Sequence, residues 1–337
     1  MLEAFLQRDR TFEGIFVTAV STTGIFCRPT CAARRPHPRN VSFFATASEA
    51  AIAGYRPCLR CRPLEPDGAP PTWLRQLLAD LEAEPCRRWC DQDLRQRGLS
   101  PERVRRWFKQ HHGMTFQAYH RARRLGSALG RVRAGETVGK AAVEVGYDSL
   151  SGFQDAFRQY FGSSPTRLDQ AIVARVDRIA TPLGPMVVAA TENALLLLDF
   201  ADRRQLASLV ERIRRRLGVL YLPGRGALAE RAEHELGEYF AGTRRDFSLP
   251  VQPAGTLFEL AVWAALREIP YGETRSYADI ARRVRRANAV RAVGRANGMN
   301  ALAIVVPCHR VVGSDGSLVG YGGGLWRKER LLARERA

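Results

Sequence analysis

The sequence predicts a multidomain α+β protein, and three features of its 337 residues support this prediction. Six of the seven cysteines lie within the first 90 positions, and the middle of the chain is helical and rich in arginine. Beyond residue 175, short apolar strands alternate with helices. Because a domain usually has about 100 to 200 residues, a chain of this length should contain roughly two to four of them.

The charge of the chain indicates a polyanionic partner. There are 52 Lys and Arg residues against 34 Asp and Glu, which gives a net charge of +18. A coding bias toward arginine would explain why lysine is rare, but it does not explain the size of the excess. The planar guanidinium of arginine matches phosphate groups and guanine edges. We therefore expect the chain to bind nucleic acid.

The sequence also indicates where the protein works. The apolar run Ala194–Phe200 is far too short to span a bilayer. The first residues, Met1-Leu2-Glu3, do not begin a secretory signal, so we expect a cytoplasmic protein. In that reducing compartment cysteines are more often ligands or nucleophiles than disulfides.

Two close cysteine pairs, Cys27/Cys31 and Cys58/Cys61, are separated by a longer loop. This spacing is typical of a structural zinc site, with disulfide pairing as the alternative. A metal-bound thiolate is also electron-rich at neutral pH and could attack an electrophilic methyl group. The spacing does not distinguish a structural site from a reactive one. Several basic residues that could hold a DNA backbone surround the cysteines: Arg28, Arg34, Arg35, His37, Arg39, Arg56, Arg60 and Arg62.

The segments Thr22–Cys31, Asn40–Phe44 and Gly54–Cys61 resemble the N-terminal domain of the Ada family. This resemblance implies a zinc-binding domain over residues 1–65 and one Zn²⁺ held by the four cysteines. It further implies that Cys27 accepts a methyl group from a DNA phosphotriester.

The resemblance also implies a chemical switch at the cysteine cluster. Methylation of Cys27 would remove one negative charge, so the site would repel DNA phosphates less. We expect Arg28 and Arg34 to contact the DNA there, and we expect the methylated protein to activate transcription.

A proline-rich segment, Pro63–Pro71, predicts a linker before a basic helical region. In that region the turns Arg97–Ser100 and Val145–Ser149 each contain a glycine and end in a serine that can cap the next helix. This pattern predicts two helix-turn-helix units. We expect Arg103 and Arg106 to contact DNA. Three phenylalanines at a spacing of four should form core rather than a base-stacking surface: Phe153, Phe157 and Phe161.

The run from Gly146 to Pro165 resembles the AraC-type DNA-binding domain, which implies such a domain over residues 72–170. The recognition helices would then be Ser100–Lys109 and Ser149–Tyr160. The first unit matches less well, because Cys86 and Cys90 are not expected there. We interpret these two cysteines as spare thiols, since a second metal site would need more ligands.

The C-terminal half predicts α/β or α+β structure. Predicted strands lie at Val187–Ala190, Leu195–Phe200 and Ala301–Val306, and predicted helices at Gln205–Leu217, Ala229–Phe240, Thr256–Leu266, Tyr277–Val284 and Ala287–Asn297.

The last predicted strand leads into Pro307-Cys308-His309-Arg310. A lone cysteine is usually a small buried apolar residue. Here the adjacent His309 and Arg310 would favour a thiolate, so a nucleophile is the competing interpretation. A cysteine hydrolase would show a similar local sequence.

A wider pattern resembles the O6-alkylguanine-DNA alkyltransferases. It comprises Pro270–Thr274, Arg291–Gly294, Asn300 with Pro307–Val311, and Gly320–Leu325 followed by Lys328 and Glu335. The resemblance covers about residues 176–336. It implies an N-terminal α/β subdomain over residues 175–250 and a helical, DNA-binding catalytic subdomain over residues 251–337.

Carried over residue by residue, this resemblance implies a single-turnover acceptor. Cys308 would take the alkyl group. His309 would deprotonate the Cys308 thiol through a water, and Glu335 would orient His309. Asn300 would hold the active-site turn. The alkylated base must leave the DNA helix to reach Cys308. Arg291 would then fill the gap that the base leaves in the stack. Tyr321 would shape the pocket that receives the base, and Tyr277 would donate a proton to it.

The three resemblances occur in the order of an Ada-type protein. They imply repair of O6-methylguanine and O4-methylthymine at Cys308 and of methylphosphotriesters at Cys27, with zinc and no organic cofactor. Alkylated and promoter double-stranded DNA would be its partners, together with RNA polymerase once activated, and the protein would act as a monomer. The alternative is a zinc-containing transcription regulator whose alkyltransferase domain is vestigial.

Overall fold

The architecture is described from a computed structural model, which covers residues 1–9, 16–44, 47–64, 70–168 and 171–336. The first 64 residues form a small α+β module. Its elements are α1 Leu2–Gln7, β1 Val17–Val20, β2 Ile25–Cys27, β3 Val41–Phe44, α2 Ala47–Ile52 and β4 Arg56–Pro57.

The sheet of this module has the strand order β3-β1-β2-β4. Strand β1 is antiparallel to β2 and β3, and β4 is parallel to β2. Phe26 points into the core with no exposed surface, so Cys27 is fixed at the end of a strand. The parallel pairing brings Cys58, just after β4, back beside β2, where its amide donates to the Phe26 carbonyl at 2.9 Å.

The basic middle region is entirely helical between residues 72 and 161, apart from its turns. Its helices are α3 Thr72–Ala83, α4 Asp91–Gln96, α5 Pro101–His112, α6 Phe116–Arg133, α7 Val138–Glu144 and α8 Leu150–Phe161. The long helix α6 joins two cores, since Phe116 packs in the first and Leu129 in the second.

Both predicted helix-turn-helix turns are confirmed. Gly98 and Gly146 have φ of 71° and 76°, in the left-handed region that favours glycine. The hydroxyls of Ser100 and Ser149 accept hydrogen bonds from the third residue of the following helix. Phe153 and Phe157 are fully buried, as expected for core residues, and Phe161 is partly buried.

The C-terminal half is built on a four-stranded sheet of order β7-β6-β5-β8, followed by a helical part. Its elements are β5 Ile172–Ile179, β6 Met186–Ala190, β7 Leu195–Phe200, α9 Leu206–Leu217, β8 Val219–Pro223, α10 Ala227–Ala241, α11 Leu257–Arg267, β9 Arg275–Ser276, α12 Tyr277–Arg283, α13 Val290–Gly298, β10 Val311–Val312 and α14 Leu325–Arg336.

Two sequence-based expectations for this half need correction. The helix predicted from Ala287 begins at Val290, because the left-handed backbone of Arg285 (φ 56°) and a short turn follow α12. The strand predicted over Ala301–Val306 is wrong. Leu302 bridges to Leu198, but Ile304 has φ 72° and reverses the chain, so that Ala303 bridges to Val306.

The linker prediction lies partly outside the described residues, which resume at Pro70. Pro71 then precedes the first turn of α3 as its N-cap. None of the helices in the described part of the chain is both long and apolar enough to cross a membrane.

The N-cap of α8 provides a test of the second helix-turn-helix unit. Ser149 Oγ accepts from the Gly152 amide at 3.2 Å. Ser149→Ala should therefore lower the free energy of opening of α8 by about 0.5–2 kcal/mol. Native-state hydrogen exchange of the α8 amides measures this loss. Ser151→Ala, an exposed position in the same helix, is the matched control, and an equal effect of both variants would contradict the capping role.

Candidate active site and metal centre

Cys308 lies at the start of a 3-10 turn, Cys308–Arg310, between the reversed segment 301–306 and β10. Only 5 % of the residue is exposed. It packs in the main core of the C-terminal half, so its sulfur is largely shielded from bulk solvent.

The side chain of Asn300 is hydrogen-bonded to the turn that carries Cys308. Its side-chain amide donates to the Val306 carbonyl at 2.9 Å and to Cys308 Sγ at 3.2 Å, while its Oδ1 accepts from the Leu302 amide at 2.9 Å. Three hydrogen bonds from one buried side chain thus stabilise the reversal that replaces the predicted strand. Asn297, which the sequence analysis did not single out, donates to the Cys308 carbonyl at 3.3 Å.

His309 and Glu335 are fully buried partners, with Nε2 and Oε1 2.8 Å apart. The carboxylate can only accept, so Nε2 carries the proton and Nδ1 is free to accept one in the neutral ring. Nδ1 is buried and has no partner among the residues described. Burial lowers the pKa of His309, which favours this neutral form.

The buried carboxylate of Glu335 is satisfied by four donor residues from three parts of the fold. Besides His309, it accepts from the Tyr239 hydroxyl (2.8 Å), Arg310 Nε (2.8 Å) and the Gly272 amide (3.3 Å). Burial alone would raise its pKa, but the hydrogen bonds from His309 and Arg310 lower the pKa of Glu335 to about 2. It is therefore ionised at neutral pH.

The expectation that Arg310 favours a Cys308 thiolate is not met. Its guanidinium is turned away toward Glu335 and toward the Ile269 carbonyl, 2.7 Å from Nη1. Burial raises the pKa of the Cys308 thiol, and the hydrogen bond from Asn300 offsets this only in part. The resting cysteine is thus a protonated thiol.

Arg203 is a supporting residue that the sequence analysis missed. Its guanidinium donates to the Asn300 carbonyl at 2.8 Å and to the Gly298 carbonyl at 2.5 Å, and it pairs with buried Asp199. Burial raises the pKa of Asp199 to about 6. Residue 203 follows β7, some 100 positions before the turn that it supports, so no local motif reveals it.

Arg203 and Phe200 also shape the loop 320–324. An added Cβ at Gly322 would lie 2.6 Å from the Arg203 guanidinium carbon, and one at Gly323 would lie 2.8 Å from the Phe200 ring. Glycine therefore fits both positions better than any residue with a Cβ. Lys328 is fully buried and donates to the carbonyls of Val311 (2.5 Å) and Val319 (2.7 Å), which anchors the start of the loop.

The other predicted site residues of this half lie around the same loop and α13. The Tyr277 hydroxyl donates to the Val319 carbonyl at 3.2 Å, and burial raises the pKa of this phenol. The Tyr321 hydroxyl is buried without a partner among the described residues. Arg291 is exposed on α13, the helix that carries Asn297.

The four N-terminal cysteines meet in one cluster, with all sulfur atoms within 4.8 Å of one another. Tetrahedral Zn²⁺ with Zn–S bonds of about 2.3 Å needs sulfurs roughly 3.8 Å apart, so the donor set fits zinc. The Arg28 amide donates to Cys61 Sγ at 3.3 Å, which helps to orient that ligand. Cys58 is buried, whereas Cys27, Cys31 and Cys61 are each partly exposed, so exposure alone does not select Cys27.

The predicted DNA-contacting arginines have different environments. Arg34, Arg103 and Arg106 are exposed, although Arg103 also stacks 4.2 Å above the Trp73 ring. Arg28 uses its guanidinium to brace the carbonyls of Cys61 and Arg62, at 2.9 and 3.1 Å. Their contacts with DNA stay predictions.

Cys86 and Cys90 are not part of any group of metal-ligating residues in the described ranges. Cys86 Sγ lies 3.3 Å from Ser127 Oγ, and exposed Cys90 is the N-cap of α4. Their interpretation as spare thiols stays a prediction.

Comparisons with known proteins connect these modules. Four family models match consecutive parts of the chain: the metal binding domain of Ada (1–64), a helix-turn-helix domain (95–171), and the ribonuclease-like (176–253) and DNA binding (257–337) domains of 6-O-methylguanine DNA methyltransferase.

Two relatives and one solved structure illustrate the similarity. The bifunctional transcriptional activator/DNA repair enzyme Ada of Escherichia coli is 35% identical over 99% of this chain and 95% of its own length. A methylated-DNA–protein-cysteine methyltransferase of Mycobacterium leprae is 46% identical over 46% of this chain and 88% of its own. The crystal structure of Mycobacterium tuberculosis OGT with DNA is 40% identical, with a TM-score of 0.43, over 49% of this chain and 93% of that one.

The raised pKa of Cys308 predicts slow reaction with small electrophiles. Because iodoacetamide reacts with thiolates, labelling of Cys308 in the folded protein at pH 7.5 should be at least about tenfold slower than that of exposed Cys90. Its rate should still be rising at pH 9, since burial moves ionisation to higher pH. Peptide mass spectrometry measures both rates, and labelling in urea, where the two should converge, is the control. Faster labelling of Cys308 in the folded state would contradict a protonated resting thiol.

Proposed function

The chain belongs to the Ada family of bifunctional DNA-repair methyltransferases and transcriptional activators, and from this premise we propose that it carries two methyl acceptors. Cys308 takes the methyl group of O6-methylguanine or O4-methylthymine. Cys27 takes that of a DNA methylphosphotriester and thereby converts the protein to an activator of the alkylation response. Each transfer is irreversible, so each acceptor acts once.

The proposal for Cys308 is carried by one observation. The buried thiol of Cys308 accepts a hydrogen bond from Asn300, and the next residue is the neutral His309. The Nε2 of His309 is bonded to Glu335, and its Nδ1 has no partner among the described residues. A water bound at Nδ1 would pass the thiol proton to His309. Cys308 Sγ then attacks the methyl carbon, the S–C bond forms, and the C–O6 bond breaks with its electron pair on the base.

The demethylated base, which carries the electron pair of the broken C–O bond, must gain a proton at the same stage. Tyr277 would supply it, either directly or by exchange with the proton now on His309, so that the products are thioether and neutral base. Tyr321 and the glycine loop would form the pocket wall, and Arg291 would enter the stack where the base has left. Two observations support these roles: Arg291 is exposed, and the loop carries glycines at positions 322 and 323, where a Cβ would clash.

The proposal for Cys27 concerns the cysteine cluster. Bound Zn²⁺ would keep the four sulfurs as thiolates at neutral pH. Cys27 forms an S–C bond with the phosphotriester methyl group, and the phosphodiester leaves as an anion. The cluster loses one negative charge, which weakens its repulsion of DNA phosphates and raises the affinity for DNA. Arg28 and Arg34 would hold the adjacent backbone.

The proposed domains are 1–65, 72–170, 175–250 and 251–337. In the second, the recognition helices α5 and α8 would read promoter DNA, with Arg103 and Arg106 on phosphates or base edges. We further propose that the methylated protein acts as a monomer that contacts RNA polymerase. The net charge of +18 supports DNA as the common partner.

The acceptor role of Cys308 is tested with an oligonucleotide that carries O6-methylguanine. One methyl group per protein should appear on the Cys308 peptide by mass spectrometry, and the reaction should then stop. Cys308→Ala should lose base repair by more than about a thousandfold while methylphosphotriester transfer to Cys27 continues. Absence of transfer by folded, zinc-loaded protein would favour the regulator with a vestigial alkyltransferase domain.

The ligand set and the switch are tested together at Cys27. Cys27→Ala should lower zinc content after dialysis against a chelator and abolish the rise in DNA affinity that methylphosphotriester DNA otherwise produces. Zinc content is measured by mass spectrometry of the metal, and DNA affinity by fluorescence anisotropy. Cys90→Ala, an exposed cysteine outside the cluster, is the matched control. Equal zinc retention in both variants would show that the ligand set is wrong.

A further inference from the structure

The two faces of strands β5 and β8 in the C-terminal sheet pack in different cores. Parallel pairing places Val173 of β5 beside Leu220 of β8, and Arg175 beside Leu222, on the same face. The opposite face of these strands, with Ala174 and Val219, packs in a separate core that includes residues of α9. The Leu220 face therefore needs its own cover.

Helix α6 of the helix-turn-helix module provides that cover. Val173 and Leu220 pack against the cluster formed by Leu125, Ala128 and Leu129 with α7 and α8. Leu222, at the end of the edge strand β8, is only 3% exposed. Without α6, this row of apolar side chains would face water.

Two glycines, one in each module, allow this close contact. A Cβ at Gly126, in the middle of α6, would lie 2.4 Å from Leu222 Cδ1. A Cβ at Gly224, in the turn after β8, would lie 3.2 Å from an Arg123 guanidinium nitrogen, and its φ of 137° also favours glycine. Arg123 itself is buried and bonds to Glu82 at 2.8 Å, so it has little freedom to move away.

We propose that α6 is a fixed cover of the β5–β8 face, so that the helix-turn-helix and alkyltransferase modules form one rigid body instead of two tethered parts. Gly126 and Gly224 are the positions that permit the contact. A DNA segment bound by one module is then presented to the other in a constant orientation. The contact itself does not depend on which methyl groups the protein accepts.

The test compares two glycines of the same helix in the full-length protein. Gly126→Leu should force α6 off the sheet, whereas Gly130→Leu should not, because a Cβ at Gly130 meets nothing within 4 Å. The readout is the rate of trypsin cleavage at Arg167, an exposed residue in the 3-10 turn Pro165–Arg167 just before the connection between the modules. We expect cleavage of Gly126→Leu to be about tenfold faster than that of Gly130→Leu, since proteolysis follows the opened population.

Methyl transfer to Cys308 from a short oligonucleotide should stay within about twofold of the natural protein in both variants, which shows that the alkyltransferase module is folded. Equal cleavage of the two leucine variants would overturn the fixed interface. If Gly126→Leu fails to fold, a double-mutant cycle of Gly126→Ala and Leu222→Ala is used in place of that variant. Coupling predicts that Leu222→Ala relieves the faster cleavage caused by Gly126→Ala, and independent effects would again overturn the proposal.

Discussion

The buried carboxylate of Glu335 is the group on which the rest of the active site depends. An ionised carboxylate in an apolar core is tolerated only when its oxygens are fully hydrogen-bonded. Here the donors come from α10, the loop before β9 and the turn Cys308–Arg310, so that satisfying one charge ties α14 to three other elements. The same requirement fixes the proton of His309 on Nε2 and leaves Nδ1 as the acceptor.

The second constraint is that Cys308 is both buried and protonated at rest. A thiol in this state is protected from small oxidants and electrophiles, which matters for a residue that is proposed to react only once. Reactivity then requires a proton path and an electrophile delivered into the pocket. Asn300 donates one hydrogen bond to the Cys308 sulfur, and Arg203 donates to the Asn300 carbonyl and so holds Asn300 in place. The site is therefore positioned to stabilise a thiolate, although the resting thiol is not ionised.

The parts of this arrangement that sequence reasoning anticipated are those encoded locally. Cysteine spacing predicted the cluster, and Gly98 and Gly146 with their capping serines predicted two turns that the backbone confirms. The segment Ala301–Val306 was misread because an apolar run has the same composition whether it extends or reverses. Nothing in the residue type of Ile304 signals a positive φ, since the reversal is imposed by Asn300 and by packing.

Long-range partners were equally invisible from the sequence. Arg203, Tyr239 and Arg310 acquire their roles only when distant segments meet, and an arginine next to a cysteine does not reveal which way its guanidinium turns. Some of the arginines that contributed to the prediction of nucleic-acid binding are instead used inside the fold. Arg123 and Arg124 are buried, bonding to Glu82 and to the Val145 carbonyl.

The two proposed acceptors differ in the way that their substrates demand. A phosphotriester lies on the outside of the duplex, so its acceptor must be reachable at a protein surface, and Cys27 is partly exposed among basic residues. A modified base is accessible only after it leaves the stack, and it then needs a pocket closed to bulk solvent in which a buried thiol can react. Burial would keep Cys27 from its phosphotriester substrate, but it suits Cys308. This difference explains why one protein would hold its two acceptors in separate modules.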